Sequence, residues 1–360
     1  MRLLTSMMVT CVLMAVAAPA FGASRKAHDD CNSDDPDRNI AGCTIVAQDP
    51  IESIRTRAVA FVGRGLAWHD KGDNDRALAD FSEAIRIDPK NALAYNDRAL
   101  AWREKGDPDR AIADLTAAIK IDPLPRSDLA GTGHVNIYAN RGLAWQAKGE
   151  LDRAIADFDQ GIKLDPKDAD AFNRRGAAWH AKGDIDRAIA DFTAAIGVNR
   201  KFTGAYYNRA LARQAKADLD GAIADFTDAI RLDPGFVNAY SGRSEVFMAK
   251  LDPDNAIADV SEAIRLAPDR PYLYYVRGAA RYDRYMRASA AIDPKDLEGA
   301  IADFTKAIHY GPNFAGAYYA RGLVRNTNGE RDHAIADLTE AVRLEPENER
   351  MVAALKQLNP

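Results

Sequence analysis

Cysteine is scarce in this chain: three residues in 360, at Cys11, Cys31 and Cys43. Once the leader described below is removed, one pair remains. Long hydrophobic runs are missing beyond the first 23 residues, so nothing there is long enough to span a bilayer and no stable membrane insertion is expected. The basic stripe of a nucleic-acid binder is missing too. Lys and Arg number 48 against 53 Asp and Glu, a formal net charge of −5, which argues against a nucleic-acid partner. No HExxH, nucleophile elbow or Gly-rich phosphate loop occurs, and the six histidines are scattered. The chain therefore reads as no enzyme, with no cofactor and no metal.

What is present is a repeat. The phrase Ala-Ile-Ala-Asp-Phe or a near copy starts at Ala77, Ala111, Ala154, Ala188, Ala222, Ala256, Ala300 and Ala334. Five of the seven gaps are 34 residues, and the other two are 43 and 44. A fixed period of this size marks a repeat array. With Ala92 as position 1 of its unit, a bulky aromatic stands at position 4: Phe61, Tyr95, Tyr138, Phe172, Tyr206, Tyr240, Tyr274 and Tyr318. Position 8 is Gly, Ala or Ser, position 20 is Ala, and position 24 is Phe, Leu or Val. Large against small at helical spacing lets two helices approach closely. A Pro at position 32 ends the second helix in every copy except at Arg200.

This pattern resembles the tetratricopeptide repeat (TPR) family over about residues 58 to 348. The resemblance implies an all-α, right-handed superhelical solenoid of eight helix-turn-helix repeats, covering 58–346. Residues 347–360 are expected to form a C-terminal capping helix, with Met351, Val352, Leu355 and Leu358 on one face.

Residues 1–23 read as a secretory signal peptide: Arg2, an apolar stretch from Leu3 to Ala18, then small residues suited to cleavage. A buried N-terminal helix is the alternative. Cys11 and Cys31 lack the context of a lipid anchor. A periplasmic or secreted location is expected. In the 24–57 segment, residues 24–35 are polar, acidic and expected to be mobile, and a single helix from Pro36 is expected to cover the first repeat. Cys31 and Cys43 bracket it, and in an exported protein a disulfide is the default; a redox pair is the alternative. Insertions fall near 124–133, read as a loop, and near 285–294. There the first helix of the seventh repeat is expected to run on two or three turns and stop at Asp293-Pro294.

Two charged positions recur in every copy: Arg at position 7 (Arg64 to Arg321) and Asp at position 23 (Asp80 to Asp337). A guanidinium fork matches a carboxylate, so an ion pair is expected, either between the two helices of a repeat or between adjacent repeats. Ser or Thr at position 25 also recurs and reads as structural. The pairs Asp73/Asp75, Asp107/Asp109, Asp184/Asp186, Asp218/Asp220 and Asp252/Asp254 lie where second helices begin. They read as helix caps rather than calcium ligands.

In TPR proteins the first, or A, helix of each repeat builds the concave surface where partners lie. The matching positions here are 2, 5, 6, 9, 12 and 13. The two-carboxylate clamp of one TPR subclass is not matched: Asn140, Arg174 and Asn208 hold position 6 of repeats 3 to 5, yet position 2 lacks Lys and the order is wrong. What remains is a polar middle of Asn136, Asn140, Gln146, Asn173, Arg174, His180, Asn208 and Gln214, able to hydrogen-bond an extended backbone. Beyond it stand Tyr207, Tyr275, Tyr282 and Tyr319, which either anchor a partner or pack between A helices. The expected function is a protein-interaction scaffold holding a peptide or partner protein in this groove. The alternative is a carbohydrate-binding component of polysaccharide export or envelope assembly, with the tyrosines stacking on a glycan.

Overall fold

The computed structural model describes residues 22–123, 137–287 and 294–358. Among these, every regular element is a helix and no strand occurs. Nearly all of the leader, the 124–133 insertion, Asn136 and most of the second insertion lie outside the described residues.

The chain divides between Asp184 and Ile185 into two compact units. The first holds α1 (Arg25–Cys31), α2 (Pro36–Gln48), α3 (Ile54–Asp70), α4 (Asn74–Ile87), α5 (Ala92–Glu104), α6 (Pro108–Ile121), α7 (Ile137–Ala147), α8 (Leu151–Leu164) and α9 (Ala169–Ala181). The second holds α10 (Ile185–Val198), α11 (Thr203–Ala215), α12 (Leu219–Leu232), α13 (Val237–Ala249), α14 (Pro253–Leu266), α15 (Pro271–Arg287), α16 (Pro294–Tyr310), α17 (Ala315–Thr327), α18 (Arg331–Leu344) and α19 (Glu349–Leu358). From α3 onward the odd-numbered helices to α17 are A helices and the even-numbered ones to α18 are B helices. Within each unit a helix packs on its chain neighbours. A helices also meet the A helix of the next repeat (α3 with α5, α5 with α7, α11 with α13, α13 with α15, α15 with α17), while B helices make no comparable contact with one another. In each unit, then, the A helices form the inner side of the stack.

The core follows the large-against-small rule. Phe81, Phe158, Phe226 and Phe304 at position 24 are fully buried. A Cβ added at Gly65, Gly142 or Gly278 would come within 2.6, 2.7 and 2.9 Å of Phe81, Phe158 and Phe304. Glycine permits that approach in these three repeats. The A–B turn is set at position 15, where the backbone is left-handed: Gly72, Gly106, Gly149, Gly183 and Gly329 take φ of 77–84°.

The recurrent arginine joins three helices, which answers the question of its partner with both alternatives at once. Arg64, Arg98, Arg141, Arg209, Arg243, Arg277 and Arg321 each donate Nε and Nη2 to the position-23 Asp of their own repeat, at 2.6–2.9 Å. The Nη1 of each reaches a Ser or Thr on the preceding second helix, at 2.8–3.3 Å. In the fourth repeat that preceding residue is Asp159, and Arg175 bonds it at 2.5 Å. The aspartates are 2–7% exposed, so their charge needs this partner. Each arginine also lies 5.3–6.0 Å from the centre of its own position-4 ring.

The N-terminal segment imitates a repeat. Arg64 reaches Thr44 on α2, and Lys71 pairs with Asp37 there, so α2 stands where a preceding B helix would. The expected mobile stretch is instead partly helical. Ser24 caps α1 through the Ala27 amide, and Ala27 and Cys31 are buried. The Cys31 and Cys43 sulfurs stand at disulfide distance, 2.00 Å, and Cys43 occupies the buried place that Phe takes elsewhere.

Three further details add to the expected pattern or depart from it. In the Asp-x-Asp pairs only the first member caps: Asp73, Asp107, Asp218 and Asp252 accept from the amides three residues on. The second member pairs outward with the next repeat, as Asp75 with Lys105, Asp109 with Lys148, Asp186 with Lys216, Asp220 with Lys250 and Asp254 with Arg284. At the second insertion α15 is described through Arg287, one turn past the usual length, and its expected further run to Asp293 lies outside the described residues. Pro294 opens α16 instead of closing α15, as suits a proline in a helix's first turn. Finally, position 11 differs between the units. Trp68, Trp102 and Trp145 stack under Arg76, Arg110 and Arg153 at 4.3–4.7 Å. In the second unit Arg213, Arg281 and Arg325 stand there and add a further bond to the core aspartates at 2.7–2.8 Å. At the other end of the chain, α19 packs on α18 and buries Met351.

Two turns lack the left-handed glycine. Ala217 and Leu251 hold φ of 62° and 63°, which side-chain crowding disfavours by about 1–2 kcal/mol. Leu251 is 59% exposed, so it returns little by packing. Leu251→Gly is expected to raise the urea midpoint, adding about 0.5–1 kcal/mol after glycine's own entropic cost. A lowered midpoint would contradict this account of the turn.

Candidate functional site

The inner side of the first unit carries a polar row. Position 12 of repeats 1 to 4 reads His69, Arg103, Gln146 and His180, one from each A helix. All four are half-buried. His69 Nε2, Arg103 Nη1 and His180 Nε2 are buried without a hydrogen-bond partner. His69 Nε2 lies 3.2 Å from Glu104 Oε2, but off hydrogen-bond geometry. Buried polar atoms are seldom left so, and here three fall on one row of one face.

Beside them, positions 5 and 6 link successive A helices. Asn140 donates to Asn96 at 2.9 Å, and Asn96 donates to Asp97 at 3.1 Å. Arg174 pairs with Asp170 one turn earlier on α9. Asn173 lies at position 5 of the same helix, half-buried. Burial pushes the Asp97 carboxyl up to about 6, against the opposing pull of Asn96 and His69. The sequence expectation thus brings Asn140, Gln146, Asn173, Arg174 and His180 together on this side. Asn136 lies outside the described residues. Asp97 and Arg103 complete the surface over the buried Asn96; neither was foreseen, because Asp at position 6 and Arg at position 12 each occur once in the array.

The inner side of the second unit is aromatic and acidic. Tyr207 sits 5.8 Å from Phe226 and 5.0 Å from Phe236. Tyr275 repeats this between Phe304 and Phe314 at 5.8 and 5.0 Å. Both rings are half-buried wedges between a B helix and the next turn, and Tyr207 has its hydroxyl pushed up first by burial and then by Glu245. Tyr272 donates to Glu245 at 3.1 Å. Tyr282 hydrogen-bonds Thr327 at 3.0 Å. Tyr319 packs against the cluster of Ala315, Ala341 and Met351. Asn208 and Gln214 lie half-buried on α11. No group of three metal-ligating side chains forms among the described residues, and no described helix is long and apolar enough to cross a membrane.

A tetratricopeptide repeat model matches residues 63–124, 207–271 and 285–349, more than half of the chain, and a second TPR model matches 142–183. The chain belongs to the tetratricopeptide repeat family. Among solved structures it is similar to a TPR protein from Parabacteroides merdae, with 21% identity, 75% of this chain and 99% of that one covered, and a TM-score of 0.54. It is also similar to PilF of Pseudomonas aeruginosa, with 15% identity over 62% of this chain and 95% of that one, and a TM-score of 0.51. At these identities the likeness concerns the fold. No curated protein matches the chain. The TPR fold is an interaction scaffold. Its A helices here present a polar surface in one unit and a tyrosine-rich one in the other.

The Asp97 carboxyl makes the TPR array sensitive to pH. A carboxyl raised from about 4 to about 6 binds its proton more tightly in the folded state, so stability falls as pH rises from about 4 to about 6 and is level above. The effect is at most about 3 kcal/mol. Asp97→Asn is expected to melt above the parent at pH 7 and to match it at pH 4. Equal melting temperatures at both pH values would show that Asp97 is an ordinary carboxylate.

Proposed function

We propose that this protein is a non-catalytic interaction scaffold that holds an extended peptide of a partner protein on the A-helix side of repeats 1 to 4. The observation that carries this is the position-12 row, with three buried nitrogens that lack partners. Around it, the half-buried amides of Asn140 and Gln146 carry both donors and acceptors. An extended peptide backbone presents carbonyls and amides at regular spacing and would satisfy such a row. The tyrosines that would serve a glycan do not favour that reading, since Tyr207 and Tyr275 are wedged among phenylalanines.

The test is selection from a random peptide library displayed on phage, with the chain lacking residues 1–23 as bait. A fluorescent copy of the enriched peptide is then titrated against the parent and against Gln146→Ala/His180→Ala. Losing hydrogen bonds of about 0.5–1.5 kcal/mol each should weaken binding by about tenfold. No enrichment, or equal affinity for the double variant, would reject the groove.

The proposed setting is the periplasm or the cell exterior, supported by the leader-like first 23 residues and by the Cys31–Cys43 pair. There the pair would be a disulfide closing a short loop, stabilising the N-terminal hairpin by on the order of 3 kcal/mol in the chain-entropy model. Alkylation of the protein taken from its native compartment, without reductant, should leave Cys31 and Cys43 unlabelled. Labelling of both would contradict the exported setting.

A further inference from the structure

The A helices of the second unit carry charge of one sign on their inner side. At positions 2, 5, 6, 9, 12 and 13 of α11, α13, α15 and α17 the charged residues are Glu245 and Asp283, and no Lys or Arg occurs there. Asp283 is neutralised by Arg287, one turn later on α15, at 2.6 Å. Glu245 is half-buried on α13 and accepts from the Tyr272 hydroxyl at 3.1 Å. Among the described residues no cation pairs with it. Arg270, just before α15, bonds Asn238 instead, at 3.0 Å. A half-buried carboxylate held by one neutral donor keeps lone pairs that a charged donor would satisfy better.

Beside this carboxylate an aromatic ring stands open. Tyr272 is 48% exposed, although its hydroxyl ties α15 to α13 and so fixes the ring. Tyr275 stacks with it, ring centres 6.2 Å apart and planes 27° apart, and is itself wedged between Phe304 and Phe314. Every position-4 ring of the array already lies near the arginine of its own repeat. Among the described residues no guanidinium or ammonium lies over Tyr272 or Tyr275. The face of such a ring attracts a cation. A guanidinium suits both partners at once, since its plane lies flat on a ring while its edge meets a carboxylate. The lysine ammonium has no plane to stack.

We infer that Glu245 and the Tyr272 ring, steadied by Tyr275, receive an arginine side chain from a basic segment of a partner protein. Glu245 is the one acid at position 9 of the eight repeats, and Tyr272 the one aromatic at position 2. The site is made by α13 and α15 alone and is independent of the groove on repeats 1 to 4.

The test uses fluorescein-labelled hexaarginine and hexalysine, which carry equal charge, titrated by anisotropy against the chain lacking residues 1–23. The parent should bind hexaarginine at least about fivefold more tightly than hexalysine. Glu245→Gln and, separately, Tyr272→Ala should remove that preference. Glu262→Gln should keep it. It deletes the same charge from the B helix α14, where Glu262 pairs with Arg265. Circular dichroism melts establish that each variant is folded; if one of the two site variants is not, the other decides.

Equal binding of the two peptides by the parent would overturn the arginine site, as would a preference that survives in the folded site variants. Loss of preference in Glu262→Gln would overturn it in favour of diffuse attraction. Displacement of hexaarginine by an equal concentration of free arginine would overturn it in favour of a small-molecule site.

Discussion

The structure depends on one side chain repeated in every unit. The position-7 arginine spends two donors on a buried aspartate of its own B helix and a third on the second helix before it. Burying the aspartate makes the arrangement obligatory, since a carboxylate 2–7% exposed and left alone would be costly. The apolar core of each repeat is small, mostly alanine around one large position-24 side chain. Such a core drives association without fixing direction. The planar guanidinium supplies direction, because it is satisfied at one angle and one register. Even the N-terminal hairpin obeys it, with Thr44 on α2 taking the third donor of Arg64.

On this common frame the two units are finished differently. In the first, tryptophan at position 11 lies under an arginine of the B helix. In the second, arginine enters from position 11 in three repeats and doubles the ion pair, and in the seventh a glycine opposite clears its way. A Cβ at Gly299 would stand 2.9 Å from Arg281 Nη1. The inner surfaces differ as well: amide, imidazole and guanidinium groups in the first unit, tyrosines around Glu245 in the second. Repetition therefore builds the scaffold, and departures from repetition build the surfaces that a partner would meet.

That division explains what could be read from the sequence. Helix positions, the large-against-small approach and the arginine–aspartate pair were legible because eight copies state them. The second Asp of each Asp-x-Asp pair was misread as a cap, since its lysine partner belongs to the next repeat. The helix at Arg25–Cys31 was missed because its support comes from Ser24 and the contacts of Cys31 and Ala27, not from a periodic apolar face. Arg103 and Asp97 were invisible as site residues. Each stands alone at its position, and its character comes from burial.

The account is tested most directly by hydrogen exchange on two variants of one arginine link. In Arg141→Ala the buried Asp157 loses its partner, and protection should fall through α7 and α8 by about 3–5 kcal/mol, and less on α6. In Thr116→Val only the third donor is lost, and the effect should be smaller and should centre on α6 and α7. If both variants exchange like the parent, the arginine decorates the solenoid rather than setting its register.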